Sequence, residues 1–387
     1  MDQNKPKILV VDDESFNIGV LHKNLEQDYK IIAAKNGVEA VRRATKYSPD
    51  LILLDIMMPK MDGYEVCRQL KSNEQTQDIA VIFLSAKNEL EDEKKGLGLG
   101  AVDYITKPFS VDIVKARIKT HLALRTKTRE LAEKNEELIE DLKTAAAVQR
   151  HLSINSPIPP FLKMAIRYLP HSHVSGDLYK LYSNSTGGFN IFIGDSTGHG
   201  VAAALTTIMV DILLNQHKNE TPVRTMEFIN EVLEKQLPND RFLSAALVQI
   251  TLKGKIYAIT AGHPPLIIIP ANSNDPVLLS SQSPILGTFT HLDFTAAAIH
   301  YSLQSGDRVF LYTDGITERC DGQGNMFKNR LVEFLKNQRD HDLDSLLTLL
   351  LEHINAFAEA QPPDDDMTLV AFEYLGQLAN NSIITQL

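Results

Sequence analysis

Residues 50–65 read DLILLDIMMPKMDGYE. The run LILL has no polar break, as expected of a strand buried on both faces. It stops at Asp55, and Pro59 and the Asp62–Gly63 pair that follow are turn formers. Working outward, the same design recurs. KILVVDD (7–13) ends in Asp12 and Asp13, IAVIFLS (79–85) in Ser85, and AVDYITKP (101–108) in Lys107 and Pro108. YKIIAA (29–34) is a further apolar run, and FNIGVLHKNLEQ (16–27) and GVEAVRRATKY (37–47) are amphipathic at helical spacing. Strands alternating with helices predict an α/β domain, a doubly wound parallel sheet, over residues 1–122. Ligands of such sheets sit at the carboxyl ends of the strands, where Asp12, Asp55, Ser85 and Lys107 all fall.

Three carboxylates brought into one cleft repel each other, and a hard divalent cation such as Mg²⁺ relieves that repulsion. Asp55 begins a loop, so its carboxylate is placed to attack phosphorus. Lys107 supplies positive charge for phosphoryl oxygens, Ser85 a hydroxyl, and Tyr104 a ring that can pack inward when Ser85 moves. The motifs VDD (11–13), DIMMPKMDGYE (55–65), LSA (84–86) and DYITKPF (103–109) stand in order. This stretch closely resembles the receiver domain of two-component response regulators. The resemblance implies phosphorylation at Asp55, with Mg²⁺ on Asp12, Asp13, Asp55 and the Met57 carbonyl. It further implies a switch through Ser85 and Tyr104, and a sensor histidine kinase or phosphotransfer protein as donor.

Residues 111–152 contain neither Gly nor Pro and predict one long helix, with 123–153 as a linker. Leu124, Leu131, Leu138, Ala145 and Leu152 repeat every seven residues. With these as d positions, Thr128, Asn135, Leu142 and Gln149 fall at a. Two readings stand here: a single solvated helix joining two domains, its stripe packed on one neighbour, or a two-stranded coiled coil making a homodimer, which a polar Asn at a favours.

The three prolines of INSPIPPF (154–161) mark a boundary, and a second domain is expected over 154–376, with 377–387 a tail. MAIRYLP, FNIFIGD, SAALVQITL, KIYAIT, PLIIIP and DRVFLYTDG read as strands, and VAAALTTIMVDILLNQ, RTMEFINEVLEKQL and LDSLLTLLLEHINAFAEA as helices. Strands joined by tight turns with helices grouped elsewhere predict an α+β layered β-sandwich. Acids again cluster at turns: Asp177 in SGDLY, Asp195 in GDSTGHG, Asp314 in YTDGITE, and Asp365 and Asp366 in PPDDDMTLVAF. Oxygen ligands without a His/Cys pattern point to Mg²⁺ or Mn²⁺ rather than zinc. Two such ions would activate a water and clamp a phosphoryl group. His199 and His263 read as turn-stabilising rather than catalytic.

SGD, GDSTGHG, AGHPP (261–265), GDRVFLYTDGITE (306–318) and DDMTLV (365–370) resemble the metal-dependent (PPM, type 2C) serine/threonine phosphatases. The bacterial branch with the sporulation stage II and stress-response phosphatases is the nearest in pattern. That resemblance implies Asp195 as bridging ligand with the Ser196 carbonyl beside it, Asp314 and Asp366 on the other metal, and Asp177 contributing. Asp365, Gly198 and His199 would then support the site from outside it. Ser175 stands where the family often has glycine, and Ser196 where it often has a hydrophobe. The implied substrate is a phosphoserine or phosphothreonine protein, an anti-sigma-factor antagonist. The rival is a non-catalytic adaptor that binds a sigma factor or its regulator.

Composition bounds the rest. The 387 residues carry a net charge of −10, which argues against a nucleic-acid partner. No apolar stretch approaches the ~18–20 residues of a membrane span. Cys67 and Cys320 are the only cysteines, and the chain opens on a strand rather than a signal peptide, so a cytoplasmic protein is expected.

Overall fold

The computed structural model describes residues 5–85, 94, 96–152, 155–185, 187–238, 240–273, 275–281 and 283–376. Ala86 of the LSA motif and the expected tail lie outside the described residues. The chain divides into two compact units, Met1–Glu137 and Leu138–Leu387. Among the described residues, no helix is long and apolar enough to cross a membrane.

In the first unit, β1 (Lys7–Val11), β2 (Lys30–Ala34), β3 (Leu51–Asp55), β4 (Ala80–Ser85) and β5 (Asp103–Thr106) form a parallel sheet in the order β2-β1-β3-β4-β5. The uninterrupted apolar runs follow from burial on both faces. Leu9, Val11, Ile52 and Leu54 join one core, while Ile8, Val10, Leu51 and Leu53 join another. Helices α1 (Ser15–Leu25), α2 (Gly37–Tyr47) and α3 (Gly63–Lys71) follow β1, β2 and β3. Asn36 and Asp62 cap α2 and α3 by accepting from the Glu39 and Glu65 N–H groups.

Helix α4 runs unbroken from Val111 to Leu152. Its first turns bury Val114 and Ile118 in the core of the first unit. The expected heptad stripe then splits. Leu124, Leu131 and Leu138 are 62%, 68% and 56% exposed. Beyond them Leu142, Ala145 and Ala146 pack with Val174 and Ala204 of the second unit, and Gln149 is buried. Leu142, Ala145 and Gln149, expected to continue the coiled-coil seam past Leu138, are thus spent on the chain's own second unit. The stripe open to a partner is confined to 124–138.

The second unit is a sandwich of two antiparallel five-stranded sheets. One has the order β13-β10-β9-β8-β7 and the other β12-β11-β14-β15-β6. Their strands are β6 (Leu162–Leu169), β7 (Asp177–Ser183), β8 (Phe189–Ser196), β9 (Leu243–Ile250), β10 (Lys255–Ala261), β11 (Leu266–Ile269), β12 (Val277–Leu279), β13 (Ile299–Ser302), β14 (Arg308–Tyr312) and β15 (Met367–Tyr374). Alternation builds the layers. Ile191 and Ile193 of β8 enter the core between the sheets, and so do Val309 and Leu311 of β14. Phe192 turns outward under α5 (Val201–Gln216) and α6 (Pro222–Gln236). Phe310 turns outward under α8 (Lys328–Asn337) and α9 (Leu343–Phe357), with the short α7 (Asp314–Thr317) before them.

Candidate active sites

The first site lies at the carboxyl ends of β1, β3, β4 and β5. Asp12 and Asp55 are buried and Asp13 is exposed, and one ligand oxygen from each lies within 4.8 Å of the other two. Among the described residues, this is the only set of three potential ligands that meets so tightly. Asp12 is fixed by donation from the Glu14 N–H at 2.9 Å and from the Asn17 Nδ2 at 3.1 and 3.0 Å. The Lys107 Nζ bridges Asp12 Oδ2 at 2.8 Å and Asp55 Oδ1 at 2.9 Å. Burial pushes the Asp55 carboxyl above the usual range, and the Lys107 ammonium offsets this only in part. Burial pulls Lys107 down, yet its bonds to Asp12 and Asp55 hold it above its ordinary value. Ser85 is buried at the end of β4, where its carbonyl accepts from the Lys107 N–H at 2.6 Å. Tyr104 is half-buried against the core that includes Phe83. The Met57 side chain is exposed.

The second site forms where β7 and β8 meet β14 and β15. Strand pairing sets Asp177 opposite Asp195. Asp177 is 1% exposed, and its Oδ2 accepts from the hydroxyls of Thr313 at 2.8 Å and Thr368 at 2.5 Å. Those threonines flank Asp314 and Asp366, and the Thr368 N–H donates to the Thr313 Oγ1 at 3.0 Å. Asp195 and Asp314 are near enough to shift each other's carboxyl. Burial, then the Asp366 and Asp365 charges, push Asp177 up to about 8 against the pull of the two hydroxyls. Burial, then Asp177, Asp314, Asp365 and Asp366, push Asp195 up to about 9. Asp314 and Asp365 are raised too, each chiefly by burial. His199 contributes positive potential at Asp365, and its ring stands edge-on to His171 at 5.9 Å. His263 is buried with its Nδ1 2.8 Å from the Ser244 hydroxyl, and burial lowers it to about 3, so it is a neutral packing residue.

The adjacent acids Asp365 and Asp366 divide differently from expectation. Asp366, expected as a ligand, is buried with both oxygens engaged, Oδ1 by the His171 N–H and Oδ2 by the Gly176 N–H, each at 2.6 Å. Asp365, expected outside the site, is the exposed one, and its field reaches Asp195 and Asp177. Asp366 therefore anchors the loop that carries Asp177, and Asp365 offers the freer carboxylate. Reasoning from sequence also passed over Thr313, Thr368 and Gly176. A Cβ on Gly176 would stand 3.0 Å from the Gly198 carbonyl and 3.2 Å from that of Ser196, so a larger residue would push the two turns apart by a few tenths of an ångström. Ser196 is buried, and its hydroxyl has no hydrogen-bond partner.

Residues 8–119 match the family model described as response regulator receiver domain, and residues 185–375 match that of stage II sporulation protein E (SpoIIE). The chain joins a receiver domain to a SpoIIE domain. The receiver is 48% identical over 121 residues to a probable cyclic di-GMP phosphodiesterase of Vibrio cholerae, covering 31% of this chain and 27% of that protein. The chain thus spans about a quarter of that relative's length, and 48% of the PhoP regulator of Bacillus subtilis that the receiver also matches. The SpoIIE domain has the fold of the SiaA-PP2C domain of Pseudomonas aeruginosa, with a TM-score of 0.53 and 19% identity over 63% of this chain and 99% of that one. It also has that of the RsbU and RsbW domains of Rv1364c from Mycobacterium tuberculosis, with a TM-score of 0.51 and 22% identity over 58% of this chain and 62% of that one. At those identities the likeness is one of fold. The receiver sheet order seen here is that of flavodoxin-like doubly wound sheets, and the aspartates lie at its switch-point edge.

Proposed function

We propose that the chain is a response regulator whose SpoIIE domain is a metal-dependent protein phosphatase controlled by phosphorylation at Asp55. One observation carries the reading of the second site. Asp177, Asp195, Asp314 and Asp365 are all raised by burial and by neighbouring acids, and what offsets them is hydroxyl, backbone, side-chain hydrogen-bond and histidine contacts. Among the described residues, no lysine pairs them as Lys107 pairs Asp55. Crowded oxygen donors short of positive charge fit hard divalent cations. Two Mg²⁺ or Mn²⁺ ions are the cations this reading assigns to the set.

Asp195, Asp314, Asp365 and the Ser196 carbonyl would hold the ions, with Asp177 beside them. Thr313 and Thr368 hold the Asp177 carboxylate by its Oδ2, on the strand position paired with Asp195. Asp366 holds the His171–Gly176 loop in place. When bound, the ions would supply a water ionised at neutral pH and positive charge for phosphoryl oxygens.

In the receiver, Mg²⁺ would shield Asp12, Asp13 and Asp55. Lys107, already 2.9 Å from Asp55, is placed to pair with an incoming phosphoryl oxygen, and Ser85 with another. The phosphodonor is a sensor histidine kinase or phosphotransfer protein. The substrate is a phosphoserine or phosphothreonine protein, an anti-sigma-factor antagonist, as the SpoIIE match supports. The open stripe on α4 supports a homodimer, and the absence of a long apolar helix among the described residues accords with a cytoplasmic setting.

The test uses the full chain, a chromogenic aryl phosphate, Mn²⁺ and a small-molecule phosphodonor. Hydrolysis should require Mn²⁺, vanish in Asp195→Ala, and change on treatment with phosphodonor in wild type but not in Asp55→Asn. Hydrolysis that persists undiminished in chelator would refute the metal-dependent reading. An equal response in Asp55→Asn would refute the phosphoacceptor.

A further inference from the structure

Gln149 is a polar residue on the buried side of α4, and both ends of its carboxamide are used. Its Nε2 donates to the Ser175 carbonyl at 2.9 Å and to the Thr207 hydroxyl at 2.8 Å, and its Oε1 accepts from the Ser175 N–H at 3.3 Å. A carboxamide fixed at both ends holds its neighbours in one arrangement, because a shift of either strands a buried polar group. Those neighbours belong to the second site. Ser175 opens the turn in which the Gly176 N–H holds Asp366, and the Asp177 N–H donates to the Ser175 Oγ at 3.1 Å. The Gly176 carbonyl accepts from the Ser196 N–H at 3.0 Å, which ties this turn to the one carrying Asp195. Thr207 lies on α5, the helix that starts directly after GDSTGHG. Gln149 thus joins the Asp177 turn to the helix behind the Asp195 turn.

We infer that Gln149 is a positioning residue of the second site, one that sets where Asp177 stands relative to Asp195. It does so from the last turns of α4, outside the residues 185–375 that match the SpoIIE family model. A site with its acids held in register binds cations more tightly than one whose supports are loose, and loss of such a support costs roughly 10–100-fold in metal affinity. The inference rests on the reading of the site as a metal-dependent phosphatase.

The experiment uses the full chain with Asp13→Asn, which removes the receiver's cation site from the measurement. Gln149→Met keeps the shape and packing and deletes all three hydrogen bonds. Thr207→Val deletes one partner and leaves Gln149 in place. Mn²⁺ binding is followed by titration calorimetry, thermal unfolding is recorded in chelator, and aryl phosphate hydrolysis is measured as a function of Mn²⁺. Gln149→Met should weaken Mn²⁺ binding about 10-fold or more. Saturating Mn²⁺ should restore most of the hydrolysis rate, and Thr207→Val should follow in the same direction by less. If both variants bind Mn²⁺ as the parent does, even with lowered unfolding temperatures, Gln149 is a packing residue and the inference fails. A parent that binds no Mn²⁺ at this site would overturn the metal reading and this inference with it. A parent that binds Mn²⁺ but hydrolyses nothing would overturn the phosphatase reading alone, and the binding comparison would still decide the role of Gln149.

Discussion

Asp365 and Asp366 are neighbours of the same chemistry, and replacing each by Asn should have opposite consequences. Asp366 accepts from two backbone donors, the part-buried N–H of His171 and the buried N–H of Gly176, at 2.6 Å each. An Asn keeps one acceptor and turns its NH₂ toward the other donor. A hydrogen bond to a charged group contributes about 1.5–3 kcal/mol, and the stranded N–H costs about 1–3 kcal/mol more. For a domain of this size each kcal/mol moves the unfolding midpoint by roughly 2–4 °C, so Asp366→Asn should lower it by roughly 5–24 °C. Asp365 keeps its one internal contact as Asn, because Oδ1 still accepts from the Asp366 N–H. Its carboxylate, like that of Asp366, also adds to the charge crowding Asp195 and Asp177, but unlike Asp366 it has, among the described residues, no second backbone donor to lose. Asp365→Asn should therefore leave the midpoint in chelator unchanged or higher, while Mn²⁺-dependent hydrolysis and the thermal shift on adding Mn²⁺ both collapse. Scanning calorimetry of the two variants, with chelator and with Mn²⁺, separates the roles. Equal destabilisation by the two substitutions, or an Asp365→Asn chain that keeps its Mn²⁺ response, would show that the division of labour is wrong.

Two further outcomes follow from the same geometry. In chelator, the folded second unit holds protons on the coupled Asp177 and Asp195 up to about 8 and about 9, whereas an unfolded chain releases them near an ordinary carboxylate value of ~4. The folded state binds more protons between those limits, so chelated protein should lose thermal stability steadily from pH 5 to pH 9, and Mn²⁺ should protect most at the alkaline end. A chelated midpoint that is flat or rises across that range contradicts the crowding of these acids. On α4, Leu131→Asp with Leu138→Asp puts charge on two layers of the open stripe, and sedimentation should show dimer in wild type and monomer in the variant, with both units still folded; a wild type that is monomeric at tens of micromolar would remove the stripe as a dimer seam. The open stretch, residues 124–138, is near the ~12–15 residues below which lone helices are marginal, so the seam should be weak and concentration-dependent.

The first unit was legible because its information is local. Each strand is an uninterrupted apolar run that ends on the functional residue, and a parallel sheet brings those ends together whatever the helices do. Asp55 and Lys107 are 52 positions apart, yet each could be placed from its own strand. The layered sandwich of the second unit could be read from strands, turns and grouped helices in the same way, though not which side of each strand faces which layer.

What was not legible depended on register and on distant partners. Whether Asp365 or Asp366 turns inward is settled where β15 begins, at the pairing of Met367 with Leu169, and by two N–H donors nearly two hundred residues upstream. Nothing within DDDMT distinguishes them. Thr313 and Thr368 left a signal, since each lies within two residues of an expected metal acid, but its meaning required their shared acceptor, Asp177. The heptad on α4 misled for a related reason. Seven-residue spacing reports that one face of the helix is apolar, not whose surface covers it. Up to Leu138 the structure leaves that face open. From Leu142 on the same spacing is met by Val174, Ala204 and the Ser175 turn of the chain itself. A polar residue in such a stripe sets register in either case. Read as a coiled-coil position, Gln149 would align two helices. With its carboxamide on Ser175 and Thr207, it aligns the end of one helix with the turn that carries Asp177. The residue best placed to connect α4 with the chemistry was thus visible in the sequence, but its partners, Ser175 and Thr207, were not.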